Sequence, residues 1–185
     1  MTSVGRTAAV ILFLAAVAAA APFAPGTRFG MVGLDYRVSG GRIYSNGADS
    51  AFSNVDPFFR VGVHVTRNIA LGADLALLRT FPRHGDVFLI TPVFAFGPAA
   101  TWFPPEFAGV QPYGTVGAGA TYQFDLDLGW RFHVGAGALL GFGPVAFGPE
   151  IGWCGDWARI VRTYHRFWST GSSFYIGLRL SDLKP

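Results

Sequence analysis

Residues 128–142 constrain this chain more than any motif in it. Their even positions read Leu128, Trp130, Phe132, Val134, Ala136, Ala138, Leu140, Phe142, and their odd positions Gly129, Arg131, His133, Gly135, Gly137, Leu139, Gly141. Side chains alternate across a strand, so this segment has one bulky apolar face and one face of glycine and charge. A soluble ligand-binding barrel needs the reverse, with an apolar inside and a polar outside. A closed barrel narrows inward. Small residues and paired charges belong in its lumen, and Leu, Phe and Trp belong against lipid.

The alternation recurs, and the sequence predicts eight strands: Arg28–Val38, Phe58–Thr66, Ile69–Leu77, Val87–Phe103, Gln111–Phe124, Leu128–Phe142, Val145–Trp157 and Phe174–Ser181. Arg67-Asn68 between the second and third reads as a tight hairpin turn. Ala158–Phe167 either extends the seventh strand or forms an extra one. Pro92, Pro98, Pro112 and Pro149 cannot donate to a ladder, so bulges are expected there. With both termini on the periplasmic side, Ser39–Pro57, Pro82–Asp86, Asp125–Asp127 and Ser169–Ser172 are expected as outward connections. Arg67-Asn68, Pro104–Gly109 and Gly143-Pro144 fall at the other end.

Composition supports the same class. Only 14 % of residues are charged, against roughly 25 % in soluble domains. Hydrophobic residues make up 51 %, yet no stretch beyond the N-terminus reads as a spanning helix. Strands closed into a barrel remain, because lipid leaves no unpaired backbone group satisfied. A net charge of +3 without a basic cluster argues against a nucleic-acid partner. Cys154 is the single cysteine, so no internal disulfide is available. Nothing adjacent to it in sequence would activate it as a nucleophile.

Residues 1–20 combine Arg6, an apolar run through Phe13 and Leu14, and the small closing residues Ala18-Ala19-Ala20. These are the parts of a secretory signal peptide. The expected organisation is a cleaved signal over 1–20 and one barrel domain over 21–185.

The candidate functional residues are the charges on the inward face: Asp35, Arg37, Arg60, His64, Asp74, Arg131, His133, Glu150, Asp156 and Arg179. They are expected to form a neutralising network that plugs a narrow lumen, with Arg60, Arg131 and Arg179 facing Asp74, Glu150 and Asp35. Buried charges must be paired, and eight strands enclose room for side chains or one small ligand. Glycine pairs such as Gly117/Gly119 and Gly135/Gly137 leave space for Arg131, Tyr113 or Tyr175 to cross, and Gly135→Ser, facing inward, is expected to be milder than Val134→Arg on the outward face. Tyr122, Phe124 and Trp130 near one rim, and Trp102 and Phe142 near the other, fit aromatic girdles. His64 and His133 share the lumen face, but no spacing is diagnostic of a metal site. No cofactor is expected. Glu150, His165 and Ser169 are the residue types of a hydrolase triad, but a triad is defined by geometry.

Three segments carry a resemblance: Asn68–Gly72, Val110–Gly119 (VQPYGTVGAG) and Tyr164–Phe167. With them the chain resembles the small outer-membrane β-barrel proteins of Gram-negative bacteria, the OmpW/OmpX-like superfamily. The resemblance implies an all-β, eight-stranded antiparallel up-and-down transmembrane barrel in the outer membrane. It also implies outer-membrane lipid, lipopolysaccharide and the barrel-assembly machinery as partners, and a monomer. Such proteins usually end their last strand in an aromatic residue; here Leu178 and Leu180 precede Ser181–Pro185. The expected function is non-enzymatic: a structural or surface role, or narrow passage of small hydrophobic molecules. The alternatives are an outer-membrane lipid-modifying enzyme and a soluble periplasmic ligand-binding barrel.

Overall fold

The computed structural model describes residues 23–42, 49–80, 83–84, 87–88, 91–123, 126–142, 145–162 and 165–182. The segment read as a signal peptide lies outside them. The strands are β1 (Arg28–Arg42), β2 (Asp49–His64), β3 (Ile69–Thr80), β4 (Arg83–His84), β5 (Val87–Phe88), β6 (Thr91–Trp102), β7 (Val110–Gln123), β8 (Leu126–Phe142), β9 (Val145–Arg162) and β10 (His165–Ser181). Eight of them close a barrel in the order β1-β10-β9-β8-β7-β6-β3-β2. Every neighbouring pair is antiparallel, with β2 returning to β1. The remaining two, β4 and β5, pair with each other as a separate two-residue ladder. No element among the described residues is a helix.

The described connections 65–68 and 103–109 lie at the same end as Arg28 and Ser181, called here the terminal end. Several strands run further from it than the alternation indicates. Most of Ser39–Pro57 is strand, because β1 continues to Arg42 and β2 starts at Asp49. Ser169–Ser172 likewise lies within β10, which starts at His165 and not at Phe174. Ala158–Phe167 supplies the end of β9 and the start of β10, with His165 opposite Arg162, so no ninth wall strand arises. These parts are rich in Gly, Ser and Asn, or mix charged with apolar residues without a period of two. Their pairing is ordinary, but no one-sided pattern announces it. Conversely, the strand read from Val87 begins its barrel run at Thr91.

The expected bulges at prolines are absent. The β6–β7 ladder skips Gly97 and Pro98 and resumes at Ala99↔Gly117 in the register it left. Pro149 interrupts the β8–β9 ladder in the same way. Each missing proline N–H leaves a gap, not an extra residue. The register shift that does occur falls between Thr121 and Gln123 on the β7–β8 ladder.

The two faces separate as the alternation requires. Outward, Phe174, Ile176 and Leu178 on β10 are 71 %, 63 % and 64 % exposed. Val134 on β8 and Phe96 on β6 also face out. Inward lie Met31, Phe58, Tyr113, Leu139 and the charged set. Apolar exposure on this scale is the surface of a protein that meets lipid or a partner, not bulk water.

Because the belt is outward, a charge on it should cost most at mid-height. In protein refolded into lipid vesicles, Val134→Arg should lose about 2–4 kcal/mol of unfolding free energy. Val65→Arg, just past the terminal end of β2, should lose about 0–1 kcal/mol. Urea titration of both variants checks this, and equal costs would contradict the assignment of the belt.

Candidate functional site: the charged lumen

Period two delivers Asp, Glu, Arg and His side chains to the interior from six of the eight wall strands, β1, β2, β3, β8, β9 and β10, and three groups result. In the first, Arg60 on β2 makes a two-pronged pair with Asp74 on β3, Nε to Oδ1 at 2.6 Å and Nη2 to Oδ2 at 2.8 Å. The two residues are direct register partners. His133 on β8 reaches across the lumen to the same carboxylate, Nε2 to Oδ2 at 2.9 Å.

In the second group Glu150 on β9 is the hub. It accepts from Arg179 Nη2 at 2.8 Å, from the Tyr113 hydroxyl at 2.7 Å and from the Tyr175 hydroxyl at 2.8 Å. Arg179 also pairs through Nη1 with Asp35 on β1. Glu150 is 1 % and Arg179 2 % exposed. Charge-assisted bonds of this kind are about twice as strong as neutral ones. Phe58 joins the two groups, since the guanidinium carbons of Arg60 and Arg179 lie 4.9 and 4.4 Å from its ring centroid.

The third group sits further from the terminal end. Arg37 pairs with Asp56 at 2.9 Å and with Asp156 at 3.3 Å. Arg131 approaches Asp156 at 3.9 Å. Cys154, fully buried, points into this region.

All ten charged residues singled out from the sequence therefore lie on the inward face, but they do not all meet the partners expected. Arg60 meets Asp74, and Arg179 meets Glu150 and Asp35. Arg131 turns to Asp156 instead. His64 stands apart at the terminal end among phenyl rings. Asp56, the partner of Arg37, was missed because it lies in a segment read as a connection; once β2 is extended, its even position places it inside. The guanidiniums of this set are Arg37, Arg60, Arg131 and Arg179, and the carboxylates Asp35, Asp56, Asp74, Glu150 and Asp156. The carboxylates of this set exceed its guanidiniums by one.

Glycines make the crossings fit. A methyl on Gly137 would sit 2.5 Å from the Tyr113 ring and hydroxyl, and one on Gly135 would strike the Tyr175 hydroxyl. Tyr113 and Tyr175 thus use the space that Gly135 and Gly137 leave, while His133, not Arg131, covers Gly117. Gly135→Ser would therefore press on the tyrosine whose hydroxyl Glu150 accepts.

Of the aromatic set, Tyr122 and Trp130 face outward away from the terminal end, and Trp102 and Phe142 face outward near it. The Phe124 position lies outside the described residues. Trp157, opposite Trp130 on the neighbouring strand, also faces out. A triad built on Glu150 is excluded by the ladder. Glu150 is opposite Gly177, eight positions along β10 from Ser169 and twelve from His165, or about 26 and 40 Å at the strand rise.

No protein-family model matches the sequence, and no curated protein matches it. Solved structures do. Neisserial surface protein A superposes with a TM-score of 0.58 at 10 % identity, over 82 % of this chain and 95 % of that one. The outer membrane protein AlkL, determined in DMPC lipid bilayers, gives 0.57 at 14 % identity over 88 % and 92 %. The outer membrane protein OprG from Pseudomonas aeruginosa gives 0.52 at 13 % identity over 85 % and 96 %. The chain has the fold of the small eight-stranded outer-membrane β-barrels.

Proposed function

We propose that this chain is a non-enzymatic outer-membrane protein whose barrel is closed to ions by its own lumen charges, exported by the segment over residues 1–20. The observation that carries the reading is the joint arrangement of the two faces. Apolar side chains are exposed all round the outer wall, while Glu150, Arg179, Asp35, Arg60 and Asp74 are buried against one another inside. The first arrangement suits hydrocarbon, and the second fills the cross-section that eight strands leave. The fold shared with the outer membrane proteins AlkL and OprG supports the location. Its role is then structural or at the surface, in contact with outer-membrane lipid and lipopolysaccharide. Passage of small hydrophobic molecules along the axis is disfavoured, because they would have to cross the layer of ion pairs.

Two measurements test this. The folded protein should need detergent for extraction from a membrane fraction and should change mobility on gels when heated. Solubility as a monomer in plain buffer would refute the membrane reading. In planar bilayers the wild type should be silent, and large steady ohmic currents would refute the closed lumen. Glu150→Ala should leave Arg179 with Asp35 alone and the Tyr113 and Tyr175 hydroxyls without their acceptor, and should cost about 3–5 kcal/mol of stability by urea titration in vesicles.

A further inference from the structure

The chain ahead of β1 returns into the barrel that it precedes. Phe23 is 4 % exposed, while Ala24, Pro25 and Gly26 are exposed and Thr27 is half-buried. One ring is thus inside and most of its segment outside. That ring stacks on His64, with centroids 4.3 Å apart and planes at 26°, and meets Phe103 edge-on at 5.3 Å. Phe29 completes the cluster, 5.6 Å from His64 and 5.7 Å from Phe103. The backbone follows the ring. The Gly26 amide donates to the His64 carbonyl at 2.7 Å, and the His64 amide donates to the Thr27 carbonyl at 2.9 Å. Gly26 has φ +89°, the turn that brings the segment back onto β2.

His64 is the unusual member. It is 1 % exposed, and neither Nδ1 nor Nε2 has a hydrogen-bond partner. A neutral ring tolerates phenyl neighbours. A second proton would add a donor and a charge with no acceptor beside them. The charged and titratable groups at this end offer no relief. Arg60, the next long inward side chain on β2, carries the same sign and is already paired with Asp74. On β7, Tyr113 gives its hydroxyl to Glu150. Asp182, after β10, accepts from the Gly30 amide. Arg28, Arg67 and Glu106 are exposed at the rim.

We propose that residues 23–27 form a releasable stopper for the terminal mouth of the barrel, seated by Phe23 on His64, and that a second proton on His64 releases it. The segment is held by one buried ring and two backbone bonds, so it belongs to the part of the molecule that opens most readily. The proposal concerns this mouth alone and stands whether or not the lumen conducts.

Hydrogen exchange read by mass spectrometry tests it, on the full chain refolded in lipid nanodiscs. Rates at about pH 7.5 and about pH 5, which bracket imidazole titration, are corrected for intrinsic exchange. In wild type, the amides of Gly26 and Thr27 should be protected at the higher pH and should exchange at least about tenfold faster at the lower, as expected for local opening. Peptides from β7 and β8 should not change, which shows that the wall is intact. Phe23→Ala should exchange fast at both pH values, and His64→Gln should lose the pH step. Should His64→Gln leave β7 and β8 unprotected, His64→Asn takes its place. A wild-type rate that is the same at both pH values would overturn the proposal. So would a pH step that survives in the His64 variant, or protection in Phe23→Ala equal to wild type.

Discussion

Among the described residues, four guanidiniums stand inside a ring of eight strands, and this fact governs the rest of the molecule. An interior of that width holds side chains, not bulk water. Each arginine must then find its acceptors within the wall or across the lumen. Arg60 finds Asp74 on the next strand. Arg179 finds Glu150 and Asp35 on its two flanking strands. Both pairs bridge neighbouring strands, so they reinforce the backbone ladder. Tyr113 and Tyr175 complete Glu150, and the glycines opposite them are small because those rings need the room. The inward sequence of small, charged and phenolic residues is therefore one solution and not three separate preferences.

The outer wall follows from the same ring. Because polarity is used up inside, the outside can be apolar along the length of the belt, with Tyr122 and Trp130 towards one end and Trp102 and Phe142 towards the other. Arg is suited to the inner role because its planar fork stays charged and can bridge two carboxylates at once. Arg37 does so with Asp56 and Asp156. A lysine would bring a single ammonium to the same place, and the only lysine of the chain is Lys184, beyond the last strand.

The sequence made the faces legible and left the ends obscure. In Leu128–Phe142 the period of two is so regular that the inward positions of Arg131 and His133 follow from it directly. The same holds for Asp35, Arg60, Asp74, Glu150 and Arg179. Past the apolar belt the period of two vanishes from the sequence although the ladder continues, as at Ser39–Arg42 against Asp49–Phe52. Asp56 was hidden for that reason. Partners across the lumen were hidden for another. Strand order gives neighbours, but the height at which a side chain crosses depends on the stagger between strands. His133 therefore reaches Asp74 for reasons that no single strand contains, whereas Arg131 meets Asp156, its register partner on β9. The Phe23 contact was invisible altogether, since a lone aromatic ahead of the first strand carries no period.

The seam between the first and last strands has a cost in time. Each other neighbouring pair in the wall joins barrel strands that follow one another along the chain. At the seam, Ser181 and Asp182 clasp Gly30, through the Ser181 hydroxyl at 2.8 Å and the Asp182 amide at 3.2 Å, across a separation of about 150 residues. Loop-closure entropy and contact order are greatest there, and pairings of that kind are the slow ones. Until it forms, the growing sheet keeps two bare edges on a strongly apolar chain, which is the condition under which strands pair with the wrong neighbour. The barrel's final stability is spread around its whole circumference, but its exposure to misassembly is concentrated in the interval before this one seam zips shut.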